Sequence, residues 1–533
     1  MNESVIKELV LKNAVSHKGK SVAGAIIPKI LGQEPELKSE IKKLMPTIQK
    51  IVKEINSMNL DAQKKELLKI DSHALDKKVE IKELPEIKDI VVGKCSFRLP
   101  PGPEKQLHVG HSFSFLLNNY YAKKYKGKLI LRFEDTNPEK CEQVFVNGIK
   151  EDLKALGITW DQEYFLSDNM NEYYKLAEKL IKQGDAYACT CSSEIMKKNR
   201  ENHVSCACSK LDINANLRFW NKMKYGTYRE GECVLRLKAD MKSKNSVMWD
   251  PVIFRMNHTK HYRQGSKYKI WPLYDFTASV EDAKITHVLR DSNWTQRIEL
   301  QDFIRVKLGI KSNPVNVLFS RFEIEGGVTK GRVIRELVDK GIVSGYDDIR
   351  LSTVKGFLRR GILPETLMEV LIDTGISKSK TTIPMEKINT INRRILAERV
   401  SHYFFVEEPV LINVKDKGEY YIQKSDFKKG IIRLKDSFNI DVKKDNLADY
   451  AGEDLIKGAP VIQWVEKDDA VSTEVVEALP LFNDKDELNK TTLIVHKGVI
   501  SKKASQLPVG TQVQFERFGY AKKETNNWIF THP

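Results

Sequence analysis

Arg98 to His111 reads RLPPGPEKQLHVGH. An apolar strand run leads into a loop containing Pro and Gly, and two histidines three residues apart, His108 and His111, open the next helix. Gly110 between them would let a ligand approach the backbone. A helix start offers unpaired N–H groups and a partial positive charge, and two imidazoles on one face add donors, so a phosphate is the expected guest. Taken alone, HxGH is more often a pair of ordinary helix-start histidines.

The flanking segments define the fold around this loop. Leu107 to Tyr125 has the length of a helix, and Lys128 to Phe133 (KLILRF) is a short apolar strand run. Strand signals on both sides of a helix predict an α/β domain with a parallel sheet. Between residues 187 and 270 stand 17 Lys plus Arg against 7 Asp plus Glu, an excess of ten out of a formal charge of +16 for all 533 residues. This basic stretch interrupts the α/β pattern, which resumes at Lys269 to Phe276 and runs through Val288 to Leu308. It reads as an insertion within one domain, and its charge suits a polyanionic partner, nucleic acid first.

The expected organisation is a helical N-terminal appendage (residues 1–90) and a catalytic domain in two halves (91–186 and 269–318) around the insertion (187–268). A helical connecting domain (319–402) and a β-barrel region (403–533) follow. The first segment carries Lys, Glu, Leu and Ile at helical spacing, as in Leu37 to Met58, with Pro28, Pro35 and Pro46 as expected helix boundaries. Beyond about residue 405 short alternating runs such as Val410 to Val414 and Gly430 to Leu434 are separated by Gly, Pro, Asn and Asp. With 41% hydrophobic residues the chain is not disordered. It has no apolar run of about 18 residues and no signal-peptide pattern, so a soluble, cytoplasmic protein with no membrane partner is expected.

Seven cysteines are too few for a secreted disulfide scaffold. Four of them form Cys189-x-Cys191 and, fourteen residues on, Cys206-x-Cys208. Such a set can close a tetrahedral structural zinc site or remain reduced thiols, with His203 as a substitute ligand.

Further blocks give these elements a context: Leu131 to Pro138 (LRFEDTNP), Trp271 to Phe276 (WPLYDF) and Thr286 to Arg290 (THVLR). With HVGH they resemble, in order and spacing, the class I aminoacyl-tRNA synthetases of the glutamate and glutamine group, most closely the archaeal-type glutamyl-tRNA synthetases. Leu11 to Lys20 (LKNAVSHKGK), Gly341 to Glu365 (GIVSGYDDIRLSTVKGFLRRGILPE) and Val513 to Lys522 (VQFERFGYAK) extend the resemblance over essentially the whole chain.

The resemblance implies ATP-dependent ligation of L-glutamate to tRNA(Glu) through an adenylate, with Mg²⁺ accompanying ATP, and it leaves open whether tRNA(Gln) is charged too. It implies a Rossmann-type catalytic domain, an insertion that binds the acceptor stem and a C-terminal barrel that binds the anticodon. His108, Gly110, His111 and Lys330 would serve ATP, with His108, His111 and Lys330 catalytic. Glu134 would receive the substrate's α-ammonium, and Arg98, Tyr274 and Arg290 its side chain. The structural alternatives are a Glu134 satisfied by Arg132 and an Arg290 in an internal ion pair. An arginine at 290 offers a planar, permanently charged fork and so favours glutamate over glutamine.

Two departures from the family pattern stand out. PPGPEK replaces PPEPSG or PPEPNG, so a Cβ at Lys105 is expected to crowd a backbone otherwise free to take φ > 0. Gly327 stands at the first lysine of KMSKS, leaving Lys330 in a loop that reads GVTKGR. The rival readings are a glutaminyl enzyme and a tRNA-binding protein that has lost activity, and Lys105 is either a replacement cation for the ATP loops or a solvated side chain.

Overall fold

The computed structural model describes residues 3–17, 19–33, 41–71, 83–377, 379–443, 446–483, 485 and 487–533. It divides into two compact units, Met1–Lys82 and Glu83–Pro533. In the first, α1 (Glu3–Ser16), α2 (Ala23–Gln33), α3 (Ile41–Asn56) and α4 (Leu60–Ile70) bury Val10, Ile26, Ile30, Ile48 and Ile55. Pro28 and Pro46 do not bound helices as expected, since each is the sixth residue of its helix. An interior proline costs one backbone hydrogen bond; the fully buried isoleucines that follow at helical spacing offset it. Pro35 and residues 37–40 lie outside the described residues. Leu84 and Ile87 belong to the core of the second unit, where the Ile87 N–H donates to the Tyr125 hydroxyl at 3.1 Å and the Tyr121 hydroxyl to Pro85 O at 2.7 Å.

The second unit begins as an alternation of β1 (Ser96–Leu99), α5 (Val109–Lys124), β2 (Lys128–Phe133), α6 (Gln143–Ala155), β3 (Gln162–Phe165) and α7 (Met170–Lys182). β1, β2 and β3 pair in parallel, with Arg98 opposite Ile130 and Arg132 opposite Tyr164. Parallel neighbours require crossovers, which α5 and α6 supply. The chain then leaves this sheet for an antiparallel one of β4 (Ala186–Cys189), β5 (Val234–Leu237), β6 (Val252–Met256) and β7 (Ile270–Pro272), with α8 (Ser193–Glu201) and α9 (Ile213–Lys224) between its first two strands. The basic stretch is therefore a folded layer around Trp220, Phe254 and Trp271.

α10 (Tyr274–Glu281) returns the chain to β8 (His287–Asp291), α11 (Thr295–Leu308) and β9 (Val315–Phe319), again a parallel pair. The Ser96 N–H donates to Thr286 Oγ1 at 2.8 Å and the Thr286 N–H to Ser96 Oγ at 3.0 Å, which sets β8 alongside β1. Side by side the strands run β3, β2, β1, β8, β9, and the centre of that order is where crossovers diverge and leave a crevice at the strand C-termini. Then come β10 (Phe322–Ile324), α12 (Gly331–Asp339), α13 (Val354–Arg360), α14 (Pro364–Thr374), β11 (Thr381–Ile383) and α15 (Met385–Ala397), with β10 and β11 paired. Among the described residues the C-terminal region forms two seven-stranded, mostly antiparallel, barrel-like sheets.

Candidate active site

A cleft of about 470 Å³ opens at the C-terminal ends of β1, β2 and β8. It is lined by Arg98, Glu134, Tyr274 and Arg290, and also by Lys105, His108, Gly110, His111 and Arg321. The cavity brings together Arg98, His108, Gly110, His111, Glu134, Tyr274 and Arg290 of the expected site; Arg321 is not singled out by the sequence, which leaves Lys105 open between a cation at the nucleotide and a solvated side chain.

His108 caps α5, its Nδ1 accepting the His111 N–H at 3.3 Å, and the two imidazoles stack with centroids 3.6 Å apart. Two of the first-turn donors are not free as expected: the Val109 N–H donates to Ser352 O at 2.9 Å and the His111 N–H to His108 O at 2.8 Å. The segment 351–354, tied also through the Val354 N–H to Leu107 O at 3.2 Å, anchors the loop instead. Burial, with Lys105 and Arg321 nearby, pushes His108 down to about 3, and burial beside His108 takes His111 well below the imidazole range. Both rings are thus neutral, and with Nδ1 of His108 accepting, its proton rests on Nε2, a neutral donor.

Gly110 has a packing reason the sequence did not disclose. A Cβ there would stand 2.8 Å from Phe322 O and 3.0 Å from His108 Nδ1, so only glycine lets α5 approach β10.

Asp282, at the end of α10 and fully buried, gathers three arginines. Arg98 Nε lies 3.0 Å from its Oδ1, Arg132 Nη1 2.8 Å from the same oxygen, and Arg290 Nη2 2.6 Å from Oδ2. Burial opposes its charge, but Arg98, Arg132 and Arg290 hold it well below the usual carboxylate range. Arg290 Nη1 also donates to Gln301 Oε1 at 2.8 Å. The internal ion pair considered for Arg290 is present, and the residue lines the cleft as well. Glu134 likewise accepts from Arg132 Nη2 at 2.9 Å while facing the cavity; burial pushes its carboxyl up against the pull of Arg132 and Arg98. Three guanidinium groups face two carboxylates, a surplus of one positive charge. Tyr274, whose phenol burial raises to about 12, packs against Trp294 with ring centroids 4.8 Å apart and planes tilted by 56°. Asp282 was not foreseen; its signal was an acidic pair, Glu281 and Asp282, in the otherwise small and apolar run FTASV before THVLR.

Lys330 is exposed at the start of α12 and lies outside the cleft lining. The Lys105 backbone is not crowded as expected, since residue 105 is not at positive φ.

In the insertion, Cys189 and Cys206 place their Sγ atoms 3.7 Å apart and Cys191 and Cys208 3.8 Å apart, all four within 4.8 Å of one another. Four sulfurs about 2.3 Å from a tetrahedral zinc would be spaced by roughly 3.8 Å, so the thiols fit that ion. Arg236 Nη1, 3.6 Å from Cys206 Sγ and 3.9 Å from Cys189 Sγ, favours thiolates. His203 is turned away, its Nδ1 2.9 Å from Met241 O and its ring against Trp249.

Residues 94–398 match the family model described as tRNA synthetases class I (E and Q), catalytic domain, and residues 461–524 that of the anti-codon binding domain. A glutamate–tRNA ligase of Pyrococcus abyssi is 34% identical, the alignment covering 98% of this chain and 97% of the relative. One from Nitrosopumilus maritimus is also 34% identical, over 99% and 98%. A crystal structure of a glutamate tRNA ligase from Elizabethkingia meningosepticum in complex with its amino acid shares 20% identity over 57% of this chain and 70% of that one, with a TM-score of 0.44. A crevice at the strand ends, HVGH at its edge and relatives aligned end to end lead to one assignment: this chain belongs to the class I tRNA synthetases of the E and Q family.

Proposed function

We propose that this enzyme attaches L-glutamate to the 3′ end of tRNA(Glu) through a glutamyl-adenylate. The observation that carries the reading is the charge balance of the cleft. With one surplus guanidinium charge, the wall formed by Arg98, Arg132 and Arg290 around Asp282 is completed by a substrate carboxylate, and a neutral carboxamide would leave it unbalanced. In this reading Arg98, Arg290 and the Tyr274 hydroxyl hold the γ-carboxylate and Glu134 takes the α-ammonium. The α-carboxylate is left to attack the α-phosphorus of ATP, and pyrophosphate departs. The terminal ribose hydroxyl of tRNA then attacks the adenylate carbonyl, the bond from that carbon to the phosphate oxygen breaks, and AMP leaves. His108 Nε2–H is a neutral donor for the phosphoryl oxygens, worth most in a site that excludes water. Mg²⁺, bound with ATP, would offset triphosphate charge. Positioning supplies the rest, since no protein nucleophile is needed.

The proposed division of labour is a catalytic domain in two halves (91–186 and 269–318), an acceptor-stem insertion (187–268), a connecting domain (319–402), an anticodon-binding barrel (403–533) and an N-terminal appendage (1–90), acting in the cytoplasm. Cys189, Cys191, Cys206 and Cys208 would hold one zinc, which staples the start of the insertion; four protein ligands leave no open position for catalysis. Arg290 stands against the glutaminyl reading, and the buried histidine pair against loss of activity. The test is charging of tRNA(Glu) and tRNA(Gln) transcripts with labelled glutamate and glutamine. Glutamate on tRNA(Glu) is expected, glutamine on either would refute the reading, and the glutamate arm on tRNA(Gln) fixes how many tRNAs are substrates.

A further inference from the structure

Lys105 occupies an unusual position for a loop lysine. It lines the cleft beside His108 and Arg321, half-buried, and among the described residues no acceptor bonds to its ammonium. The adjacent carboxylate does not reach it: Glu104 Oε1 accepts from Asn137 Nδ2 at 3.0 Å. Burial and the nearby cations Arg321 and Arg335 press the amine toward a lower pKa, while the Glu104 carboxylate pulls the other way without bonding to it. A half-buried ammonium with no hydrogen-bonded acceptor is costly to the free protein and is relieved by a bound anion.

The surroundings hold Lys105 in place. Arg335 donates to Glu104 O, fixing the loop from α12. The lysine stem lies on Gly331, where a Cβ would come within 2.4 Å of Lys105 Cδ and 3.3 Å of its Nζ. Neither Gly327 nor Lys330 offers a cation at this spot. A Cβ on Gly327 would stand 2.6 Å from Ser352 Oγ and 3.0 Å from Ile324 Cβ, and Lys330 lies outside the cleft lining.

We propose that Lys105, seated on Gly331, is a phosphate-binding residue of the adenylation step and meets the β- and γ-phosphates of ATP. The assignment rests on the adenylation reading given above. As the glutamate α-carboxylate oxygen bonds to the α-phosphorus, the bond from that phosphorus to the bridging oxygen breaks, and pyrophosphate leaves with the electron pair. The Lys105 ammonium offsets the charge that accumulates there, without transferring a proton.

The test uses the full chain and two readouts, glutamate-dependent ATP–pyrophosphate exchange and calorimetric binding of inorganic tripolyphosphate. Lys105→Met should lower kcat/KM for ATP by roughly a hundredfold and weaken tripolyphosphate binding, with KM for glutamate within about twofold; Lys105→Arg should restore most of both. Gly331→Ala should impair the wild-type chain but add nothing in a Lys105→Ala background, because the seat matters only through the lysine. Unchanged exchange and tripolyphosphate binding in Lys105→Met, or additive losses in the double variant, would overturn the assignment while leaving glutamate activation intact. If the wild-type chain binds tripolyphosphate through Lys105 yet shows no glutamate-dependent exchange, the activity reading fails and the phosphate site stands.

Discussion

At the scale of single residues, the cleft is a set of charges balanced one short. Replacing Arg290 by Cys leaves Asp282 with Arg98 and Arg132, so the fold should persist while the substrate carboxylate loses a partner. The expected loss is about 2 to 5 kcal/mol, or about thirtyfold or more in kcat/KM for glutamate; steady-state kinetics with an unchanged glutamate-to-glutamine ratio would remove Arg290 from specificity. The histidines make a second expectation. With burial holding His108 near 3 and His111 well below the imidazole range, neither titrates near neutrality, and the pH–rate profile should show no histidine inflection between about pH 5.5 and 8. The sign for stability follows: both groups are depressed, so their contribution is full above the unfolded pKa of about 6.5 and is lost as pH falls toward their folded values. Acid unfolding that began only below pH 3 would contradict this. Arg98, Glu134, Tyr274 and Arg290 were legible in the sequence through their motif blocks, whereas Asp282 was not, because a buried counter-ion is defined by three partners distant in the chain.

At the scale of elements, local pattern carried far where burial is one-sided or complete. KLILRF is β2 and Val109–Lys124 falls inside the expected helix, since an apolar run of six and a helical period are properties of the segment itself. The antiparallel sheet of the insertion was less legible: β4 and β5 are separated by two helices, and their pairing of Ala186 with Leu237 depends on tertiary contact. Prolines misled in the N-terminal unit, where core burial outweighed a lost hydrogen bond. The cysteine cage belongs to this scale, because it joins the end of β4 to the turn after α8. Protein purified without chelator should contain near-stoichiometric zinc, and Cys206→Ser should lose the metal and charge tRNA more slowly while still forming adenylate. A metal-free protein with full charging activity would dispose of the site.

At the scale of the molecule, a net charge of +16 with an excess of ten between residues 187 and 270 suits a partner that is itself a polyanion. Neutralising Lys197, Lys198 and Lys242 together should raise the Kd for tRNA and flatten its dependence on salt; an unaltered slope would mark these lysines as merely solvated. The motif blocks were readable in chain order, whereas the spatial order β3, β2, β1, β8, β9 was not, because it depends on which crossovers bring distant strands together. Which loop carries the cation at the triphosphate was not readable, because it depends on Gly331 leaving room for a side chain 226 residues earlier, at position 105. In the proposed mechanism the Asp282-tied arginines select a carboxylate side chain for adenylation. ATP–pyrophosphate exchange with glutamate and with glutamine, each run with and without tRNA, tests that selection. Exchange that depends on glutamate and is negligible with glutamine is the predicted result; exchange supported equally by glutamine would contradict it.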